Sequence, residues 1–400
     1  MSSVPSTGDA KSSPSRTKQA AGRGPRSTAG TDVAVVLGTR PEAIKLAPVV
    51  LACRRRRMRT TVVLTNQQPD LAQEALGCFG ITPDISLPPR GRRELSETLG
   101  EFLTQLDTVL RNLAPRIVIT QGDTSSALAA SIAAFHRQIP IVHVEAGLRT
   151  HTIEEPFPEE AYRQALARFV TLHCAPTQDA ARNLLLEGIP AWRITITGNP
   201  IVDAFRWTLR RSRKPSVELP RPYVVVTAHR RENRGERFEA LAAAILDATE
   251  LRPDLHWLVF GHPNGWFSEA ARELLRHARV RFMPPQPYDV FLRILAEAEA
   301  WVSDSGGLQE EACCLQKPLL ICRASTERQE AIEVGWCRAV DPSARASLSA
   351  ALERLVLFPW QGNPAARNPF GDGHAARRIA QRVRSLLTSD RSRRPVANAA

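Results

Sequence analysis

The residues best suited to chemistry fall in several short loops. The run Gly38-Thr39-Arg40-Pro41-Glu42-Ala43-Ile44-Lys45 follows an apolar stretch and puts Pro41 where a helix would begin. A helix N-terminus with Arg40 and Lys45 beside it favours an anion such as phosphate. The run is neither GxGxxG nor a Walker A loop, which disfavours nicotinamide-dinucleotide and P-loop chemistry. Next comes Gln121-Gly122-Asp123-Thr124-Ser125-Ser126. Asp123 stands at a strand-to-helix junction, where an acid is either an N-cap worth about 1 kcal/mol or a functional group. In His143-Val144-Glu145-Ala146-Gly147-Leu148-Arg149-Thr150, Glu145 ends an apolar strand, so it is either paired with Arg149 or functional. Glu154, Glu155, Glu159 and Glu160 then frame Pro156-Phe157-Pro158. Carboxylates gathered at one sheet edge push their pKa values apart, which suits proton transfer.

A second set of loops follows. Thr227-Ala228-His229-Arg230-Arg231-Glu232-Asn233 combines a histidine and two arginines at a helix start, again a phosphate-binding composition. Gly261-His262-Pro263-Asn264 ends another strand, and Ser303-Asp304-Ser305-Gly306-Gly307-Leu308-Gln309-Glu310-Glu311 ends the next. Adjacent glycines let backbone N–H groups approach a phosphate closely. Glu311, one turn into that helix, could take both hydroxyls of a ribose. Thr326-Glu327-Arg328 closes the series.

These loops need elements to position them. Short β-branched runs recur near 32–37, 61–65, 116–120, 139–144, 170–175 and 193–197, and again near 223–228, 256–260, 279–283, 300–303 and 318–322. They do not alternate with polar residues, which marks strands buried on both faces, and each is followed by a helical pattern. The fold class is therefore α/β, with two Rossmann-like domains facing a cleft. Arg210-Arg211-Ser212-Arg213-Lys214-Pro215, with Pro220 and Pro222, reads as the linker. The expected division is a basic tail at 1–30, an N-terminal domain at 31–208 and a C-terminal domain at 221–373. A helix at 374–388 would pack back towards the N-terminal domain, and a tail would occupy 389–400.

The chain of 400 residues carries a net charge of +12, a value that points towards nucleic acid. Residues 1–30 hold +4 and residues 376–400 hold +6, which leaves +2 for everything between. Basic excess belongs to the ends, so nucleic acid is not the expected partner. Only five residues are Lys against 48 Arg, which makes Lys45 conspicuous. Seven cysteines without metal-ligand spacing fit reduced thiols in a cytoplasmic protein. No apolar stretch is long enough for a transmembrane helix, and the first thirty residues lack the apolar core of a secretory signal.

Taken in order, GTRPEAIKLAPVV, QGDTSS, HVEAGLRT, PFPEEAYR, TAHRREN, SDSGGLQEEA and TERQEA resemble the non-hydrolysing UDP-N-acetylglucosamine 2-epimerases, over about 32–385. The resemblance implies a GT-B-like pair of domains, usually a homodimer. It also implies interconversion of UDP-GlcNAc and UDP-ManNAc without a metal or redox cofactor. Asp123, Glu145 and Glu159 fall on the family's essential acids and His229 on its essential histidine. Arg40, Lys45, Arg230, Gln286, Phe291, Ser305, Gly306, Gly307, Glu311 and Arg328 fall on its nucleotide-sugar contacts. A regulatory UDP-GlcNAc site in many bacterial members would involve the Gln67 loop with Arg92, Arg230 and His262. Here that loop reads Gln67-Gln68-Pro69-Asp70 in place of the family's Gln-His-Arg, so weakened regulation is expected. Tyr162 stands where the family has Asn, and Cys313-Cys314 and Gln329 also depart from its pattern. The hydrolysing relatives, which usually lack the RPEAIK form, are the second reading within the enzyme class. A GT-B glycosyltransferase shares the SGG-type loop and the cleft but needs an acceptor.

Overall fold

Thirteen strands of the computed structural model form two wholly parallel sheets; residues 30–88, 94–227, 235–261, 273–274, 276–323 and 326–391 are described. The first sheet contains β1 (Val33–Leu37), β2 (Thr60–Leu64), β3 (Ile85–Ser86), β4 (Ile117–Gln121), β5 (Ile141–Val144), β6 (Leu172–Ala175) and β7 (Ile194–Ile196). Its spatial order is β3-β2-β1-β4-β5-β6-β7. The second contains β8 (Tyr223–Thr227), β9 (His256–Phe260), β10 (Val280–Met283), β11 (Ala300–Ser303), β12 (Leu319–Cys322) and β13 (Cys337–Val340), in the order β10-β9-β8-β11-β12-β13. In each sheet the order reverses beside the first strand, at β1/β4 and at β8/β11. A crevice opens at such a reversal, outside the carboxyl ends of the strands.

The expected strands are found within a residue or two at most ends. Two were not anticipated. β3 has only two residues and β13 reads Cys-Arg-Ala-Val with half-exposed centres, so neither shows the doubly buried apolar run that marks the interior strands.

The chain crosses between the halves twice. The first crossing leaves the helix Pro200–Leu209 and enters β8, and the second leads from the helix Arg345–Leu357 to the helix Ala375–Arg391. That last helix lies against the helices Arg40–Arg55 and Pro200–Leu209 of the first half. It buries Ile379, Ala380, Val383 and Leu387, each larger side chain contributing about 2 kcal/mol. Asp203 accepts from the N–H groups of Ala375 and Ala376 at 3.0 and 3.2 Å and so satisfies amides at its start. The helix runs to Arg391, so the tail expected from 389 begins inside it. The helix Pro200–Leu209 also packs on the helices Tyr288–Glu297 and Gly306–Leu315 of the second half. One apolar cluster therefore runs through both sheets.

Candidate active site

The first loop is held by a buried acid. Thr39 caps the helix Arg40–Arg55 in a capping box with Glu42. Glu42 Oε2 accepts from the N–H of Gly38 at 2.9 Å, the N–H of Thr39 at 2.8 Å and Thr39 Oγ1 at 2.8 Å. Its other oxygen accepts from Thr124 Oγ1 at 2.8 Å, which ties this loop to the one carrying Asp123. Burial pushes the Glu42 carboxyl up to about 6 despite these bonds. A Cβ on Gly38 would stand 2.1 Å from Thr65 Oγ1, so the close approach of the loops requires glycine there. Arg40 then faces the other half, its Nη2 donating to the Gln286 carbonyl at 3.1 Å.

Lys45 enters a buried hub. Its Nζ donates to both oxygens of Glu145 at 2.7 Å and lies 3.1 Å from Glu310. Arg328 Nη2 donates to Glu145 at 3.0 Å, and its Nε donates to Glu310 at 2.8 Å. Gln121 Nε2 also donates to Glu145, and Asn199 Nδ2 donates to Glu310 at 3.0 Å. Glu145, Glu310, Lys45 and Arg328 are all nearly inaccessible to solvent. Ions buried this deeply are tolerated only when paired and hydrogen-bonded. Burial raises the Glu145 carboxyl, and the Lys45 charge opposes that rise. Burial pulls the Lys45 ammonium down, but Glu145 and Glu310 more than offset it, so it stays protonated. Glu145 has φ +62°, a left-handed conformation that costs a non-glycine residue free energy and concentrates at functional sites. It does not pair with Arg149, the partner its sequence spacing offered. Arg149 instead binds Glu187 at 2.5 and 2.9 Å.

Asp123 is not the helix cap. Thr124 takes that place, its side chain accepting from the Ala127 N–H, which leaves the Asp123 carboxylate for Arg163 at 2.7 Å. Arg163 also reaches Glu160 at 3.0 Å and Glu327 at 3.5 Å, and Glu327 pairs in turn with Arg328 and Arg323. A continuous ion-pair chain thus connects Asp123 to Glu145 through Arg163, Glu327 and Arg328, crossing from one half to the other. Glu159 opens the helix Glu159–Phe169, half-buried and one turn before Arg163. Behind Asp123, His143 Nε2 lies 2.8 Å from the Gly122 carbonyl. A carbonyl only accepts, so that nitrogen carries the proton. Burial lowers the imidazole to about 4, leaving it uncharged near neutrality.

The second half supplies Ser305, Gly306 and Gly307 at the start of the helix Gly306–Leu315, and the Ser305 side chain makes no capping bond there. A Cβ on Gly306 would stand 2.6 Å from Arg328 Nη1, so glycine lets the guanidinium lie against the helix start. Glu311 is buried and accepts from the Tyr288 hydroxyl at 2.8 Å. Burial pushes its carboxyl up to about 7. Phe291 stands edge-on to Phe260 at 5.1 Å. Gln67 accepts from Ser126 Oγ at 2.8 Å and Gln68 from the Arg40 N–H at 3.2 Å, so both side chains are engaged at the first loop. His229, Arg230, Arg92 and His262 lie outside the described residues.

The structure thus brings Arg40, Lys45, Asp123, Glu145, Gln286 and Arg328 to one inter-half seam. Sequence reasoning did not single out Glu310, Glu327, Arg163, Arg323 and Asn199 as site residues. Several lie inside the quoted motifs, beside residues that were selected. Their signal was charge at the end of an apolar strand or in the first turns of a helix, and it does not say which neighbour points inward. Among the described residues no group of His, Cys, Asp and Glu could hold a metal ion, and no helix is long and apolar enough to cross a membrane.

Comparison with known proteins places this geometry in context. The family model described as UDP-N-acetylglucosamine 2-epimerase matches residues 51–384. A probable UDP-N-acetylglucosamine 2-epimerase of Ralstonia nicotianae is 37% identical over 372 residues, covering 89% of this chain and 99% of that protein. The UDP-N-acetylglucosamine 2-epimerase of Salmonella typhimurium is 36% identical over 377 residues, with the same coverage of 89% and 99%. The crystal structure of the Neisseria meningitidis UDP-GlcNAc 2-epimerase bound to UDP-GlcNAc superposes with a TM-score of 0.84 at 33% identity, over 88% of this chain and 100% of that one. Its GT-B-like arrangement of two Rossmann-like domains is the one found here.

Proposed function

The chain belongs to the UDP-N-acetylglucosamine 2-epimerase family of non-hydrolysing isomerases, and on that premise we propose that it interconverts UDP-GlcNAc and UDP-ManNAc by eliminating and re-adding UDP. The C2 hydrogen of the sugar has no adjacent carbonyl, so its removal alone is too costly. In the proposed reaction a carboxylate takes the C2 proton and the C2–H electron pair becomes the C1=C2 bond. The C1–O bond breaks with its electrons leaving on UDP, which gives neutral 2-acetamidoglucal. In the return step a proton reaches C2 from the opposite face and a diphosphate oxygen re-forms the bond to C1. The sequence is redox-neutral.

The observation that carries this reading is the joint burial of Lys45, Glu145 and Arg328 at the seam, with Asp123 joined to them through Arg163 and Glu327. A cleft of this kind supplies carboxylates for C2 and cations for the departing diphosphate in a water-poor site. We assign Asp123, Glu145 and Glu159 jointly to proton transfer at C2, with His229 as a further catalytic group. Arg40, Lys45, Arg230 and Arg328 bind the nucleotide diphosphate, together with Ser305, Gly306 and Gly307. Glu311 takes the ribose, and Gln286 and Phe291 are further contacts to the nucleotide-sugar. Gln67, Arg92 and His262 are assigned to a weakened regulatory site. The enzyme is proposed to act as a cytoplasmic homodimer, in the two domains and C-terminal helix bounded above, supplying a polysaccharide pathway.

The test is NMR of the purified protein with UDP-GlcNAc alone in deuterated water. Deuterium at C2 together with accumulating UDP-ManNAc is the expected result. Neither signal, with glycosyl transfer once an acceptor is added, would replace this reading with that of a glycosyltransferase.

A further inference from the structure

Away from the seam, a groove of about 500 Å³ opens between the helices Arg40–Arg55, Pro200–Leu209 and Ala375–Arg391. Arg55, Arg56, Arg210, Arg211 and Arg377 line it with Trp207. Its acid, Asp203, already accepts from the amides of Ala375 and Ala376. Arg211 lies over the Trp207 ring at 3.9 Å, which leaves its charge intact and holds its guanidinium plane.

Two arginines beside the groove residues in sequence find carboxylates. Arg54 pairs with Asp84 at 3.1 Å and Arg378 with Asp372 at 2.6 Å. Their sequence neighbours Arg55 and Arg377 face the groove instead, and among the described residues no carboxylate pairs with Arg55, Arg56, Arg210 or Arg377. What sets the groove apart is that these arginines share one concave wall with a single acid that is already engaged. Guanidinium groups converging on a concave wall reinforce one another's potential. Their planar forks match phosphate oxygens.

We propose that this groove binds a small oligophosphate anion. Its place in the fold gives the site a second property. Arg210 and Arg211 begin the first crossing between the halves, and Gly373 and His374 end the second. An anion seated there touches both segments that join the two halves, at the opposite end of the helix Arg40–Arg55 from Lys45. The site does not depend on the reaction proposed above.

The experiment is calorimetric titration of the full chain with sodium tripolyphosphate, with saturating UDP present to occupy the cleft. The heat of UDP binding, recorded first, reports separately on the cleft. Tripolyphosphate is expected to bind in the presence of UDP, with an affinity that falls as sodium chloride is raised. Affinity should fall at least about tenfold in Arg210→Ser/Arg377→Ser, a loss of about 1.4 kcal/mol. Melting curves check that the double variant is folded, and Arg56→Gln alone is the second variant if it is not. No binding by the natural chain, unchanged affinity in folded variants, or displacement by UDP would each overturn the proposal.

Discussion

Lys45 Nζ stands 2.7 Å from both carboxylate oxygens of Glu145, although the two residues are a hundred positions apart, one in the helix Arg40–Arg55 and the other in the loop after β5. Both are buried, and each exerts the strongest attraction favouring the other's charged form. Exchanging Glu145 for Gln keeps the shape and leaves Lys45 its contact with Glu310. Turnover of Glu145→Gln is therefore expected to fall by about 10²–10⁴ with little change in melting temperature. Lys45→Met strips Glu145 of a counter-ion in a dry site and is expected to cost about 3 kcal/mol of stability. Steady-state kinetics and urea unfolding of the two variants separate these outcomes. Near-normal turnover in Glu145→Gln would remove it from the catalytic set.

Arg163 pairs with Asp123, Glu160 and Glu327 alike. Replacing it by Ala leaves the buried Glu160 and Glu327 short of a cation and frees Asp123. Arg163→Ala is expected to lower kcat about as much as Asp123→Asn, and the double variant should be little worse than either single one, because residues acting as a unit are not additive. Additive losses would show that Arg163 acts independently of Asp123.

Glu311 carries a pH signature. Its folded-state carboxyl is raised to about 7 from an ordinary 4.5, by burial first. Between those two values the folded chain holds a proton that the unfolded chain has released, so stability falls as pH rises through that window. The loss is roughly 3 kcal/mol by the time pH passes 7. Glu311→Gln lacks this titration. Its melting temperature relative to the natural chain should therefore climb from pH 5 to pH 8. A constant difference across that range would contradict the assignment.

Much of this was legible in the sequence, and the reasons are particular. The interior strands announce themselves because Val33–Leu37 and Tyr223–Thr227 are buried on both faces and so need apolar residues throughout. Glu145 drew notice as an acid ending an apolar strand, whereas Arg40, Lys45 and Arg328 were selected through the motifs GTRPEAIK and TERQEA that carry the family resemblance. Partner choice was not legible. Arg149 sits four residues from Glu145 and was a natural partner, yet the left-handed backbone at Glu145 turns its carboxylate towards Lys45 while Arg149 is taken by Glu187. Asp123 looked like a cap because Thr124, beside it, satisfies the same rule equally well. Glu310 and Glu311 are neighbours on one helix, and only three-dimensional packing sends one to Arg328 and the other to Tyr288.

The helix Ala375–Arg391 has a consequence for how the chain is made. It follows all the other described elements in the chain, yet it covers helices drawn from earlier parts of the sequence. On a ribosome, the apolar faces that Ile379, Val383 and Leu387 will bury must wait uncovered while the whole second half is translated. The first half is thus completed after the second, and a premature stop before residue 375 would release a chain whose later sheet is finished and whose earlier one still exposes a sticky face.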